Sequence, residues 1–322
     1  MKKDKAVTLP LPGPVKQMVV TMGSTYDNQI YVSLSQGTQV TRPYRQYDLA
    51  FEASANGLRV YLNSGKIMFA NNTLSCEMTT ADSSGHQWQV DNEQWNPDTT
   101  AIGNWWIAAS SNPGAVSNVF VVDRGKSDFT GANRFRKIQI VNADAAHYHI
   151  RYSYYDNSGL TEVDIPKDSN YALMYFNFDQ GATLINQAPP ASQWDLVFTR
   201  YTHVYFDYPY GSPYRFYSVT GALQNVWRQT EAAILQKDSF PNYIPFSECA
   251  YSSVPAYPFS ANANVIGYDW KYYDFNSSSY YVRPDEFFIV KDHDGVYYKI
   301  RMIDFYDQHG NKGTVTFEYQ RL

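Results

Sequence analysis

Four blocks of sequence recur in the same order in the two halves of this 322-residue chain, with only loop lengths changing between them. Ile30-Tyr31-Val32-Ser33-Leu34-Ser35-Gln36-Gly37 lies over Met174-Tyr175-Phe176-Asn177-Phe178-Asp179-Gln180-Gly181. Both alternate large apolar residues with others and stop at glycine, the pattern of a half-buried strand running into a turn. Gln46-Tyr47-Asp48-Leu49-Ala50-Phe51 matches Gln193-Trp194-Asp195-Leu196-Val197-Phe198, and Ile102-Gly103-Asn104-Trp105-Trp106 answers Ile266-Gly267-Tyr268-Asp269-Trp270. At the ends, Ile140-Val141, Ile150-Arg151, Tyr155-Asp156 and Gly159 are set against Ile289-Val290, Ile300-Arg301, Tyr306-Asp307 and Gly310. Ordered matches of this kind are the mark of a repeat, and a chain of this length is expected to form more than one domain. The expected organisation is a tether over residues 1–14, a first domain over 15–168 and a second over 169–322.

Each copy reads as sheet. Aromatic residues make up 17% of the chain, Tyr alone contributing 29, against 18% charged residues, and aromatic and β-branched side chains favour pleated, half-buried surfaces. The turn Asp292-His293-Asp294-Gly295 separates two strand-like runs, and Asp307 to Gly313 turns into a last strand from Thr314 to Tyr319. The fold class expected is all-β: two tandem antiparallel β domains, with a short helix from Val226 to Lys237 in an insertion of the second. Recurrence of Asp48 and Asp195 at one position points to a fold role, bonding backbone N–H groups of a nearby turn.

The remaining composition narrows function mainly by exclusion. A net charge of -5 leaves no electrostatic footprint for nucleic acid, and no apolar run approaches the length of a membrane span. Cys76 and Cys249 fall at non-matching positions, which argues against a disulfide framework or a CxxC zinc site. No GxSxG, HExxH, Walker or Rossmann pattern occurs, so binding is expected rather than catalysis. The start, Met1-Lys2-Lys3-Asp4-Lys5 followed by Pro10, Pro12 and Pro14, is similar to a mature bacterial lipoprotein, with Met1 standing where the acylated cysteine would be. A cytoplasmic protein with a ragged start is the alternative.

Trp194-Asp195-Leu196-Val197-Phe198, Asp294-Gly295-Val296-Tyr297-Tyr298-Lys299-Ile300 and Gly313-Thr314-Val315-Thr316-Phe317-Glu318-Tyr319 make the second half resemble the HmuY family of Bacteroidetes outer-membrane lipoproteins. The first half, through Tyr47-Asp48-Leu49-Ala50-Phe51-Glu52 and Val60-Tyr61-Leu62-Asn63, looks like a diverged relative. The resemblance implies two tandem HmuY-like domains lipid-anchored at the cell surface. It also implies capture of haem and its transfer to a TonB-dependent outer-membrane receptor. In that family haem iron is held by a pair of His or Met side chains from the segment between the Trp-Asp strand and the C-terminal hairpins.

Haem iron requires axial donors such as His, Met, Cys or Tyr. In the second copy the relevant segment, 202–284, holds His203 and no Met, so a family-type pair cannot be assembled there. In the first copy Met68, Met78 and His86 are the candidate donors, although Met68 within Lys66-Ile67-Met68-Phe69-Ala70 also reads as a core filler. His147 and His149 share a strand face, either as metal ligands or as exposed histidines. Asp91, Glu93 and Asp98 form an oxygen-rich loop, either a calcium site or a solvated acidic one. The stretch from Tyr201 to Tyr217 is unusually aromatic. Tyr205, Tyr208, Tyr210 and Tyr214 are candidates for a platform under a flat ligand, with Arg200 and Arg215 available to ligand carboxylates. The other reading of that stretch is an ordinary strand-turn-strand edge. The alternative function is a surface protein that has lost haem ligation and binds a receptor or polysaccharide instead.

Overall fold

The computed structural model describes residues 12–111, 116–184, 186–212, 214–237, 239 and 243–322. Residues 1–11, most of the expected tether, lie outside them. Among the described residues twenty-one strands follow one another. Those of the first half are β1 (Lys16–Thr21), β2 (Asn28–Ser33), β3 (Thr38–Pro43), β4 (Leu49–Glu52), β5 (Val60–Leu62), β6 (Phe69–Asn72), β7 (Trp88–Gln89), β8 (Val119–Asp123), β9 (Phe135–Ala143) and β10 (His147–Tyr154). Then come β11 (Thr161–Pro166), β12 (Leu173–Asn177), β13 (Ala182–Leu184), β14 (Leu196–Val204), β15 (Phe216–Gln224) and β16 (Glu231–Gln236). The last are β17 (Lys271–Asp274), β18 (Ser279–Val282), β19 (Glu286–Lys291), β20 (Tyr297–Tyr306) and β21 (Lys312–Arg321). Every pairing is antiparallel, as the all-β expectation requires.

Four of the sheets stack as layers. A six-stranded sheet (β11-β10-β9-β8-β6-β7) covers a four-stranded one (β13-β12-β4-β5); a second four-stranded sheet (β15-β14-β2-β3) is covered by a five-stranded one (β1-β21-β20-β19-β16). Strand alternation explains the layering, because successive side chains point to opposite faces. Leu49 and Phe51 face one outer core and Ala50 the central one; Leu196 and Phe198 face the other outer core and Val197 the central one. The central layer is aromatic: Tyr31, Tyr61, Tyr175, Trp194 and Tyr201 meet there. A fifth, two-stranded sheet of β17 and β18 packs against the end of β20.

Hydrogen bonding crosses the sequence boundary near residue 168 in both directions. β2 pairs with β14, placing Ile30 opposite Phe198 and Val32 opposite Leu196. β12 pairs with β4 in the matching register, Met174 opposite Phe51 and Phe176 opposite Leu49. At the outer edges β1 adds to β21 as β11 adds to β10: Phe317 faces Met18 where Ile150 faces Val163. Within the outer sheets Phe120 is opposite Ile138 as Phe288 is opposite Ile300, and Ala70 opposite Val122 as Ala232 opposite Val290. Segments 15–168 and 169–322 therefore share sheets.

Asp48 and Asp195 lock this cross-pairing. Asp48 accepts from the Phe178 amide at 3.0 Å, and Asp195 from the Leu34 amide at 2.7 Å, so each ties the end of a strand from the other half. Asn63 and Asn225 complete the two corners alike. Asn63 donates to the carbonyls of Tyr44 and Tyr47, and Asn225 to those of Ala191 and Trp194.

Two sequence expectations are corrected. Val226 to Lys237 is not a helix: a short 3-10 turn at Val226–Arg228 leads into β16, which is hydrogen-bonded to β19 along its length. The helix-favouring Glu231-Ala232-Ala233 run yields to strand pairing because Ala232, Ala233 and Leu235 are buried on the two faces of a sheet. The α-helix found among the described residues, α1, is instead Trp105–Ser111 in the first half. The end blocks also match one hairpin later than expected. Lys137-Ile138-Gln139-Ile140 corresponds to Lys299-Ile300-Arg301-Met302, and both lysines are buried and donate to loop carbonyls. β8 is the counterpart of β19, Phe120 pairing with Ile138 as Phe288 pairs with Ile300.

Candidate ligand-binding site

The two central hairpins differ in length, and that difference creates the site. β4 and β5 have four and three residues, whereas β14 and β15 have nine each. The extra length carries Arg200, His203, Tyr205 and Tyr217 beyond the edge of the layers. In the first half the corresponding space is filled. The Glu52 carboxylate accepts from the amides of Leu58 and Arg59, and α1 packs there with the Trp105 indole donating to the Leu58 carbonyl. The long hairpin is braced by Thr202, which bonds Ser64 through both its amide and its hydroxyl. Gly65 permits this contact, since a Cβ there would come within 2.7 Å of the Tyr44 ring and 3.0 Å of the Arg200 carbonyl.

Beside β15 the chain returns at Gly267, which exchanges two 3.0 Å backbone hydrogen bonds with Ala222. Gly267 has φ +60°, and a Cβ on Gly221 would fall 2.1 Å from its carbonyl oxygen, so both glycines are required for the approach. This bridge sets Tyr268 and the β17–β18 hairpin across from the long hairpin. Between them lies a cleft of about 910 Å³.

Eight tyrosines line it. Tyr205 and Tyr217 come from the long hairpin, Tyr268, Tyr272, Tyr273 and Tyr280 from the facing segment, Tyr26 from ahead of β2 and Tyr306 from the end of β20. Arg200, Lys271 and Lys312 supply positive charge and Asp269 a negative one. The Tyr205 and Tyr268 hydroxyls are 3.4 Å apart, and the Tyr280 amide donates to the Tyr306 hydroxyl at 2.6 Å. Burial, aided by the bond to Tyr205, pushes the Tyr268 phenol well above its ordinary value. Lys271 is 6% exposed, and burial lowers its amine to about 7.

His203 stands behind this wall. Its ring meets Tyr205 and Tyr268 at 4.5 and 5.0 Å between centroids, and Glu93 holds Nδ1 at 2.8 Å. Among the platform tyrosines only Tyr205 lines the cleft. Tyr208 stacks edge-on against Tyr205, Tyr214 lies over Tyr208, and Tyr210 turns to Phe216 beside a separate groove with Phe69, Trp88 and Phe135. Arg215 donates to the carbonyls of Phe206 and Tyr208.

The donors expected in the first half are not brought together. Met68 is 1% exposed in the core beside Phe51 and Phe120, Met78 packs with Ala81 and Val119, and His86 is half-buried in the loop before β7. The acidic loop disperses too. Asp91 is buried, accepts from the amides of Leu62 and Ala101, and is raised by burial to about 7; Glu93 turns to His203, and Asp98 pairs with Arg59 at 3.0 Å. His149 is flanked by Asp164 at 2.7 Å and Glu162 at 3.4 Å, carboxylates that the sequence did not point to. Among the described residues no three such groups stand where they could hold a metal ion.

With this geometry in place, the relation to known proteins falls on the half that carries the cleft. The family model described as HmuY protein matches residues 169–319. The match covers just under half of the chain and makes this segment HmuY-like. The segment contains every cleft-lining residue except Tyr26. No curated protein sequence matches the chain. Among solved structures, apo PinO from Porphyromonas gingivitis is similar at 10% identity and TM-score 0.29, over 96% of this chain and 97% of that one. The apo HmuY analog from Tannerella forsythia is similar at 11% identity and TM-score 0.26, over the same shares of each chain.

The cleft residues are only partly visible in the sequence. Tyr205 and Arg200 were identified from local composition. Tyr268 to Tyr280 lay in a stretch just as rich in tyrosine, Tyr268-Asp269-Trp270-Lys271-Tyr272-Tyr273, and that density was the available signal.

Proposed function

We propose that this chain is a binding protein of the HmuY type, a tandem duplicate anchored by lipid at the cell surface. It captures a flat, acid-bearing ligand in the tyrosine cleft and passes it to a TonB-dependent outer-membrane receptor. Haem is the ligand the family implies. The observation that carries this reading is the cleft, whose volume suits a cofactor-sized molecule and whose walls combine aromatic faces with three basic side chains. The lining fits a porphyrin's faces and acid groups. It offers no His/Met pair for iron, and the raised phenol of Tyr268 makes that side chain a poor phenolate donor. Capture in this reading relies on ring contacts and charge, with iron ligation secondary.

Titrating the protein with haemin and with iron-free protoporphyrin, followed by the Soret band and tryptophan quenching, tests the reading. Comparable affinity for both is the expected result, and Tyr268→Ala should weaken both by about five- to tenfold, the scale of one aromatic contact. Absence of binding by either porphyrin overturns it. The same lining of rings and hydroxyls favours a second reading, a sugar-ring platform, and a polysaccharide affinity screen with the same variant separates the two.

A further inference from the structure

The floor of the cleft contains a buried cation with no carboxylate partner. Lys271 opens β17, and its Nζ donates to the Thr220 carbonyl at 2.5 Å and the Tyr268 carbonyl at 3.4 Å. The rings of Trp270, Phe305 and Tyr280 lie 4.3, 4.7 and 6.0 Å from the same atom. Among the described residues no carboxylate stands within ion-pair distance of it; Asp269, two residues earlier in the chain, acts on it only through its field. Lys66, buried to a similar degree, shows the usual arrangement, with its ammonium 3.0 Å from Asp48. Lys137 and Lys299 are also buried on carbonyls, yet neither lines the cleft. A buried ammonium is costly unless paired, so the missing partner is informative.

We infer that Lys271 is the group that meets a carboxylate of the captured molecule, making the cleft selective for anionic planar ligands and coupling their capture to protonation of this amine. The inference rests on the reading of the cleft as the ligand site. Arg200 and Lys312 add to the attraction, and Asp269 opposes it. Tyr217 of β15, Tyr280 of β18 and Tyr306 of β20 line the same cleft, and burial raises the Tyr280 phenol. An amine lowered by burial to about 7 is largely uncharged at pH 8, and a bound carboxylate restores its charge. Affinity for an acid should accordingly fall as pH rises from 6 to 9, with a proton taken up on binding at pH 8.

The experiment uses protoporphyrin, which carries two carboxylates, and its neutral dimethyl ester, titrated against the whole protein at pH 6, 7, 8 and 9. Calorimetry of the diacid at pH 8, in two buffers of different ionisation heat, counts protons. The expected result is a diacid affinity at least tenfold above the ester's at pH 6, and a loss of about tenfold by pH 9. Close to one proton should be taken up at pH 8, with an ester affinity indifferent to pH. Lys271→Met should lower diacid affinity toward the ester's level and abolish its fall with pH. Should that variant fold poorly, the proton count on the unaltered protein still decides. Equal binding of acid and ester, or no proton uptake, overturns the role of Lys271 while leaving the cleft as a ligand site. Failure of both porphyrins to bind instead removes the reading of the cleft itself.

Discussion

Asp48→Asn and Asp195→Asn make the same isosteric change at two matched corners whose electrostatics are opposite. The Asp48 carboxylate receives Lys66 Nζ at 3.0 Å, Arg124 Nε at 3.1 Å and Arg124 Nη2 at 2.9 Å, all three side chains being essentially excluded from water. An amide in its place leaves the Lys66 ammonium without a carboxylate and Arg124 with only the half-exposed Asp179. Removing one partner of such a buried set costs about 3–5 kcal/mol. Asp195 accepts the Leu34 amide, but its nearest basic neighbour is His293 at 3.8 Å, with Asp292 and Asp294 close by. Burial, against the pull of the Leu34 bond, raises Asp195 from 3.8 to about 6. Its raised value means the stabilising, protonated form is fully present below 3.8 and is lost as pH climbs through 6. At pH 8 the ionised group should oppose folding by about 3 kcal/mol. Asn keeps the acceptor for Leu34 and removes the charge. In thermal melts at pH 8, Asp48→Asn should therefore lower Tm by about 6–10 °C, taking roughly 2 °C per kcal/mol for a chain this size. Asp195→Asn should be neutral or stabilising, with its advantage shrinking toward pH 4. Equal losses at the two sites would refute the reasoning and leave the backbone bond as the whole role of both residues.

Other outcomes follow from the same structure. Met68→Ala should cost about 2–5 kcal/mol in urea unfolding while leaving porphyrin titrations unchanged, because its thioether fills a core; an altered Soret band would reverse that assignment. A single nick in the exposed turn between β10 and β11, residues 155–159, should leave two fragments that co-elute in native gel filtration and separate only in denaturant. Each fragment holds strands of the other's sheets, so fragments that part without denaturant would contradict the cross-pairing.

The strands around Tyr47–Phe51 and Trp194–Phe198 were legible because alternation of large apolar residues records which face is buried. Asp48 and Asp195 were assigned a fold role from recurrence alone, and the structure gives each the amide it serves. β16 was not legible, since Ala, Leu and Glu favour a helix locally and only pairing with β19 decides otherwise. The cleft was half legible. Tyrosine density marked Tyr205, but nothing local tells that Tyr208 faces its neighbours while Tyr268, some sixty residues later, faces a ligand-sized space.

Sequence by itself determined that the chain is sheet, that its halves share matched blocks, and that segment 202–284 carries no His/Met pair for iron. These depend on residue type and near-neighbour spacing, which the chain carries in any conformation. Only the tertiary structure decided that the matched halves trade strands across residue 168, and that the longer β14–β15 hairpin opens a cleft where the first half is filled. It alone set an unpaired Lys271 on that cleft's floor. Such features depend on which distant segments come to lie side by side, and hydrogen-bonded backbone pairing is indifferent to how far apart in the chain its partners began.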